Sequence, residues 1–313
     1  MPWIGDGKWV WSALPDSSQC DVAYLGGSGP RLVREIRSAL KCRNQLSGAD
    51  LVYTWELRCL LAVRLVVARS KTSPKLVAVA PVVKGPWDRH RTATAKLLSS
   101  AQRVVWMSEW EKNHFAPKLG LDSWRMLCDR VPGHRSTVVG ATPPASREPG
   151  LLVALGDSAR DWPTLGRVLD SHRGAAHVLS RRPRPASLPE RVLWSGPLPP
   201  DDSLRILGKA FVHVLPLELA EYACGQSALV RALMEGTPSV VTDLPCLAEY
   251  GMPDAVARVS RGDAAAMKEV VQAWMDDDSR WLAASRAAWE FGRNFEHGPF
   301  AHRMIAIGEQ GLG

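Results

Sequence analysis

The sequence predicts an α/β protein of two domains, each built on a parallel β-sheet, facing each other across a cleft. Three observations predict it. Short apolar, β-branched runs alternate with longer amphipathic stretches along the whole chain, the signature of βαβ units. At 313 residues the chain holds two domains of the usual ~100–200 residues. Between Arg130 and Gly150 the alternation fades into VPGHRSTVVGATPPASREPG, whose Pro, Gly, Ser and Thr make it the expected interdomain linker.

The candidate strands, in order, are Asp21–Leu25, Asp50–Thr54, Leu76–Val83, Arg103–Met107, Leu151–Leu155, His177–Ser180, Arg191–Trp194, Phe211–Leu215 and Ser239–Thr242. Helix signals are clearest at Ser108-Glu109-Trp110-Glu111, a capping box that opens a helix running to about Lys118. Ser227–Glu235 reads as a helix capped by Ser227 and stopped by Gly236, with Pro238 beyond. Asp276-Asp277-Asp278 reads as the end of one helix and the cap of the next rather than a metal site.

Composition narrows the class. Apolar residues make up 46% and charged residues 23%, enough for packed cores and too little charge for a disordered chain. The greasiest stretch, Cys59 to Ala68, is broken by Arg64 and flanked by Arg58 and Arg69, so no transmembrane segment is expected. The start, MPWIGDGKWVW, has no basic region followed by an apolar one, so a cytoplasmic protein is expected. The six cysteines, Cys20, Cys42, Cys59, Cys128, Cys224 and Cys246, form no CxxC pair and read as reduced, mostly buried thiols.

Charge divides unevenly. Residues 1–150 carry 22 Lys and Arg against 12 Asp and Glu, whereas residues 151–313 carry 17 against 20. Arg58 to Arg103 holds ten basic residues and a single acid, Asp88, a balance of +9 that suits a polyanion: nucleic acid, an acidic membrane surface or an acidic glycan. A solvated Arg-rich surface is the plainer alternative. RRPRP at 181–185 reads as a solvated loop between strands.

The most informative segment is Phe211 to Gly251, which reads strand, loop, helix, strand, loop. Gly225-Gln226-Ser227 opens the helix at the carboxyl edge of a parallel sheet, where free N–H groups and the positive end of the helix dipole suit a pyrophosphate. An ordinary capped helix with a tight glycine turn is the alternative.

This segment resembles the donor-binding motif of GT-B glycosyltransferases of the glycogen synthase and bacterial mannosyltransferase type. The match is carried by Gly225, Ala232, Gly236, Thr237, Pro238, Val240, Val241 and Asp243. A second match is GDSARDWPTL at 156–165, where related enzymes place a glycine and basic residues against the donor diphosphate; Gly156 and Arg160 take those places. Residues 101–121 look like the end of the family's acceptor domain, and 260–291 like its closing helices. The resemblance implies two Rossmann-like domains: an acceptor-binding domain over 1–148, a donor-binding domain over 149–295, and a segment 296–313 crossing back to the first.

The sequence also departs from the pattern. Arg231 stands where the family has a ribose-binding glutamate, exchanging a carboxylate for a donor-only guanidinium, and Glu221 lies four residues before Gly225 rather than three. An altered donor grip, an unusual donor or lost activity are the readings left open.

The donor-binding candidates are therefore Gly156, Arg160, Glu221, Gly225, Gln226, Ser227 and Arg231. For the first domain the resemblance points to the loop KGPWDRH, where Asp88 and His90 are the nearest groups able to act as a base; Glu56, past the strand DLVYT, is a third candidate. Acceptor-binding candidates are Gly26, Gly27 and Ser28 of the loop GGSGP, together with Trp55, Trp87 and Arg89. The function implied is transfer of a hexose from a nucleotide-sugar, used as co-substrate without a metal or other cofactor, to a hydroxyl of an anionic acceptor. Hydroxymethylated pyrimidine in DNA is one such acceptor, and a lipid-linked or polysaccharide acceptor fits the same charge. A lapsed GT-B module that binds nucleic acid is the alternative from another class.

Overall fold

The structure, a computed structural model, describes residues 30–68, 73–133, 147–196, 198–219, 221–251 and 254–310. The expected strand Asp21–Leu25 and the loop with Gly26, Gly27 and Ser28 lie outside the described residues, as do Cys20 and residues 134–146 of the expected linker. The chain divides into two compact units, Met1–Arg130 with Gly298–Gly313, and Val131–His297.

The first unit runs α1 (Arg31–Lys41), α2 (Arg43–Gly48), β1 (Leu51–Trp55), α3 (Glu56–Val67), β2 (Lys75–Val79), α4 (Pro86–Arg89), α5 (Arg91–Ser99), β3 (Arg103–Trp106), α6 (Glu109–Lys118) and β4 (Met126–Cys128). The four strands form one parallel sheet in the order β1-β2-β3-β4. The apolar stretch that is too interrupted for a membrane is α3, which buries Leu57, Leu60, Val63 and Val67 at helical spacing. Among the described residues no helix is long and apolar enough to cross a membrane. α6 starts and stops where expected, with the Ser108 hydroxyl accepting from the Glu111 N–H at 3.1 Å. The strand expected over Leu76–Val83 ends at Val79, because Ala80 turns into the left-handed region (φ 50°) ahead of Pro81.

Residues 298–310 complete this unit. Phe300 packs edge-on to Trp55 at 6.2 Å, the Tyr53 hydroxyl donates to the Met304 carbonyl at 2.8 Å, and Arg303 pairs with Asp129 at 2.8 Å.

The second unit runs β5 (Leu152–Leu155), α7 (Trp162–Ser171), β6 (Ala176–Leu179), β7 (Leu193–Ser195), α8 (Pro200–Lys209), β8 (Val212–Leu215), α9 (Gln226–Met234), β9 (Ser239–Thr242), β10 (Val256–Val259), α10 (Ala264–Met275) and α11 (Asp278–Gly292), before α12 (His297–Glu309). Its six strands are all parallel, in the order β10-β9-β8-β5-β6-β7. The chain builds outward from β5 to β7, then returns to lay β8 on the other side of β5. The strand order therefore reverses between β5 and β8.

One core gathers Leu152 and Ala154 of β5, Val178 of β6, Val212 and Val214 of β8 and Val240 of β9 with Leu165, Met267, Trp274 and Trp281 from α7, α10 and α11. Trp281 stacks on Phe211 at 5.1 Å and donates its indole N–H to the Phe211 carbonyl at 2.9 Å, so this indole is fully engaged in the core. Asp276 closes α10, and Asp277 caps α11 by accepting from the Ser279 and Arg280 N–H groups. β4 and β10 are strands that periodicity did not indicate.

Candidate functional site

The carboxyl edge of a parallel sheet is open to ligands where the strand order reverses, because the loops on either side diverge there. In the second unit that point lies between β5 and β8, and four loops frame it: those after β5, β6, β8 and β9.

The loops after β5 and β8 are zipped together. The Asp161 N–H donates to the Pro216 carbonyl at 3.1 Å and the Glu218 N–H to the Ala159 carbonyl at 2.9 Å, forming a short antiparallel bridge between Arg160 and Leu217. The Leu217 N–H donates to the Thr242 hydroxyl at 2.8 Å, tying in the end of β9. Such a bridge needs a sharp reversal after β5, and Gly156 (φ 107°) and Ala159 (φ 50°) supply it.

Arg160, one half of this bridge, is only 7% exposed. Its guanidinium donates twice to the Leu155 carbonyl, at 2.7 and 3.0 Å, and once to the Ser158 carbonyl at 2.7 Å. Burial lowers its pKa to about 10, against the favourable fields of Cys224, Asp157 and Tyr222. The guanidinium thus holds the loop in shape rather than standing open toward a ligand.

Asp157 joins the loops after β5 and β6. It accepts from the Ser180 hydroxyl at 2.9 Å, the Arg181 N–H at 2.7 Å and Arg181 Nε at 2.6 Å. Burial works against its charge, but the bonds from Arg181 and Ser180 outweigh it and hold the carboxyl below its ordinary range. RRPRP is an exposed loop between β6 and β7, as expected, and Arg181 anchors it to the β5 loop through Asp157.

α9 begins at Gly225 in the left-handed region (φ 87°), and no side chain caps it. A Cβ there would stand 2.8 Å from Leu217, so both backbone angle and space require glycine. The sequence placed the cap at Ser227; the helix starts earlier, at Gln226, and Ser227 is an exposed residue of its first turn. Gln226 is 6% exposed, and its Nε2 has no hydrogen-bond partner. The uncapped first turn leaves amide donors at the sheet edge, with the positive end of the dipole behind them.

Glu221 is exposed on the loop after β8, and Tyr222, hydrogen-bonded to Ser158, is half-buried beside it. Cys224 and Cys246 are buried in contact, the Cys246 thiol donating to the Cys224 carbonyl at 3.7 Å. Of the other described cysteines, Cys42, Cys59 and Cys128 are only half-buried, against the expectation of mostly buried thiols. Arg231 lies in the second turn of α9, donates to the Ser203 hydroxyl of α8 and feels the carboxylate of Glu235.

In the first unit the sheet's carboxyl edge carries the other candidates. Glu56 opens α3 straight after β1 in the left-handed region (φ 66°), its carboxylate paired with Arg58, which also bonds the buried Glu35 at 3.3 Å. Asp88 pairs with Arg91 at 2.9 Å, His90 is exposed between α4 and α5, and Arg89 is exposed. Trp87 is half-buried, its carbonyl accepting from Thr94 at 2.6 Å, and Trp55 is held against Phe300. Among the described residues the +9 stretch is not one patch. Lys75 and Arg103 lie at the amino ends of β2 and β3 and Arg58 sits in an ion-pair cluster, while Lys84, Arg89, Arg91 and Lys96 are exposed on the opposite edge and on α5.

Sequence reading did not single out Asp157, Ser180, Arg181 or Tyr222. The composition of RRPRP was visible, but its neighbour depends on strand order, which no local pattern encodes.

The sequence matches no protein-family model and no curated protein. The fold does have relatives among solved structures. Sucrose-phosphate synthase from Thermosynechococcus elongatus superposes with a TM-score of 0.69 at 14% identity, over 92% of this chain and 82% of its own. HepE of Anabaena in complex with UDP-glucose gives 0.67 at 12% identity over 86% and 82%. A glycosyltransferase from Rickettsia africae gives 0.64 at 12% identity over 92% and 83%. Two parallel-sheet Rossmann-like units and this set of neighbours establish that the chain has the GT-B fold of glycosyltransferases.

Proposed function

We propose that the protein is a glycosyltransferase whose second unit binds a nucleotide-sugar and whose first unit holds the hydroxyl acceptor. The uncapped first turn of α9 at the strand-order reversal, with Gln226 Nε2 unpartnered, carries this reading. Several neighbours add support: HepE was solved with UDP and glucose, and the pneumococcal O-GlcNAc transferase GtfA with UDP and GlcNAc. UDP-sugars are accordingly the first donors to test. Amides fixed before the reaction stabilise charge on the departing diphosphate without reorganising, and no metal or other cofactor enters the proposal.

In this reading Gln226 and Ser227 face the diphosphate, while Gly156 and Arg160 shape the loop beneath it. Glu221 and Arg231 flank the same helix start. Asp88, His90 and Glu56 are the base candidates, with Trp55, Trp87 and Arg89 on the acceptor side. Lys84, Arg89, Arg91 and Lys96 favour an anionic acceptor. Titration calorimetry with UDP, GDP, ADP and their sugar conjugates tests the donor half; no binding by the parent protein contradicts it. A gel shift on duplex DNA with and without hydroxymethylcytosine, at rising salt, tests the DNA acceptor, and no retention at low salt removes it in favour of a lipid-linked or polysaccharide acceptor.

The second reading, a lapsed module that binds nucleic acid, is favoured by Arg231, which puts a guanidinium bonded to Ser203 where the resemblance calls for a carboxylate. It requires DNA retention with no nucleotide binding.

A further inference from the structure

A nucleoside diphosphate needs more than a helix end. The dipole offers about half a charge, whereas phosphate oxygens are held most firmly by charge-assisted bonds from a full cation. In the loops after β5, β6, β8 and β9 the cations are five arginines. Arg160 is engaged by the Leu155 and Ser158 carbonyls, Arg181 by Asp157, Arg184 by the Val192 and Pro189 carbonyls, and Arg191 by the Leu169 and His172 carbonyls. The fifth, Arg182, is exposed, and its guanidinium makes no hydrogen bond or ion pair among the described residues.

We propose that Arg182 grips the diphosphate of the donor, in the place that sequence reading gave to Arg160. The inference rests on the donor reading above.

Its backbone is built for the task. The Arg182 N–H donates to Ser180 Oγ at 3.1 Å, that hydroxyl donates to Asp157 at 2.9 Å, and the Arg181 N–H donates to the same carboxylate at 2.7 Å. Pro183 then restricts the residue before it to extended conformations. β6 is hydrogen-bonded to β5, about 4.8 Å away, so the arginine loop lies beside the β5 loop, and β8, which leads to α9, is the next strand beyond β5. The backbone of Arg182 is thereby anchored on the loop beside the one that carries Gly156. Tyr222, three residues before Gly225 and bonded to Ser158, feels its field: burial raises the phenol's pKa, and Arg160 and Arg182 oppose the rise. Asp157 acts as a positioning residue that orients the arginine loop.

The test is calorimetric titration of the parent, Arg182→Ala and Arg182→Lys with UDP, GDP and ADP and with uridine, guanosine and adenosine, with thermal unfolding as the fold control. For whichever diphosphate the parent binds, Arg182→Ala raises Kd by about tenfold or more while the matching nucleoside is unaffected, and Arg182→Lys recovers part of the loss. Unchanged diphosphate affinity in Arg182→Ala overturns the inference and leaves the donor reading standing. Equal weakening of diphosphate and nucleoside overturns it as well, since the arginine then does not act on phosphate. A parent that binds none of the three diphosphates overturns the donor reading, and this inference with it.

Discussion

The guanidinium of Arg160 lies over the α-carbon of Gly156, in the space a side chain at that position would occupy. The glycine is thus required twice, by its angle of 107° and by the arginine packed on it. Together they fold the loop after β5 into the bridge that meets the loop before α9.

Gly156→Ala expels the guanidinium from the Leu155 carbonyl and strains the backbone, so it lowers unfolding stability by about 1–3 kcal/mol. Thermal unfolding reads this as a fall of roughly 2–8 °C in Tm. A Tm within a degree of the parent contradicts the packing.

His213, buried in β8, accepts or donates at Ser239 Oγ at 3.2 Å, and burial, aided by the charge of Arg160, pushes its pKa down to about 3. The folded pKa lies below the ordinary 6.5, so the neutral ring's full contribution is present above that value. As pH falls from there toward 3, the unfolded chain binds a proton that the folded chain refuses, and stability drops by about 1.4 kcal/mol per pH unit. Denaturant unfolding of His213→Leu between about pH 6 and about pH 4 gives a slope shallower by close to one proton. Identical slopes for parent and variant contradict the assignment.

Ser227→Ala weakens nucleotide diphosphate binding by about 2–10-fold, the effect of one lost hydrogen bond, without altering Tm, because the residue is exposed and does not cap α9. Gln226→Ala weakens it in the same range. Calorimetry checks both, and a large Tm loss in Ser227→Ala contradicts a start of α9 at Gln226.

A Cβ at Gly308 collides with the Tyr53 hydroxyl and Leu51. Gly308→Ala therefore displaces α12 from β1 and destabilises the first unit by about 1–3 kcal/mol. Hydrogen exchange at the amides of residues 51–55 reports it as faster exchange, and unchanged protection refutes the docking of α12.

Much of the frame was legible because its strands are short, mainly apolar runs, as in LLVAL, FVHVL and SVVT. Two strands were not. β4 is only Met126–Cys128, and β10 carries Arg258 in mid-strand at the sheet's edge, so neither shows a clean apolar run. The glycine turn at Gly225 was readable from its position between strand and helix, yet the helix start was misplaced because Ser227 imitates a cap that Gly225 makes unnecessary. The anchoring of Arg181 by Asp157 joins residues 24 apart through a strand pairing, information that lies in the topology rather than in any local window.

The most direct test of the donor site is calorimetric titration of the parent protein with UDP and UDP-glucose beside the variant Gly225→Val, whose side chain would collide with Leu217 and strain a backbone angle of 87°, displacing the first turn of α9. The expected result is saturable binding of both ligands by the parent and none by the variant, with the variant folded by circular dichroism. Equal affinity in the two proteins would contradict it, because the donor would then be held somewhere other than the first turn of that helix.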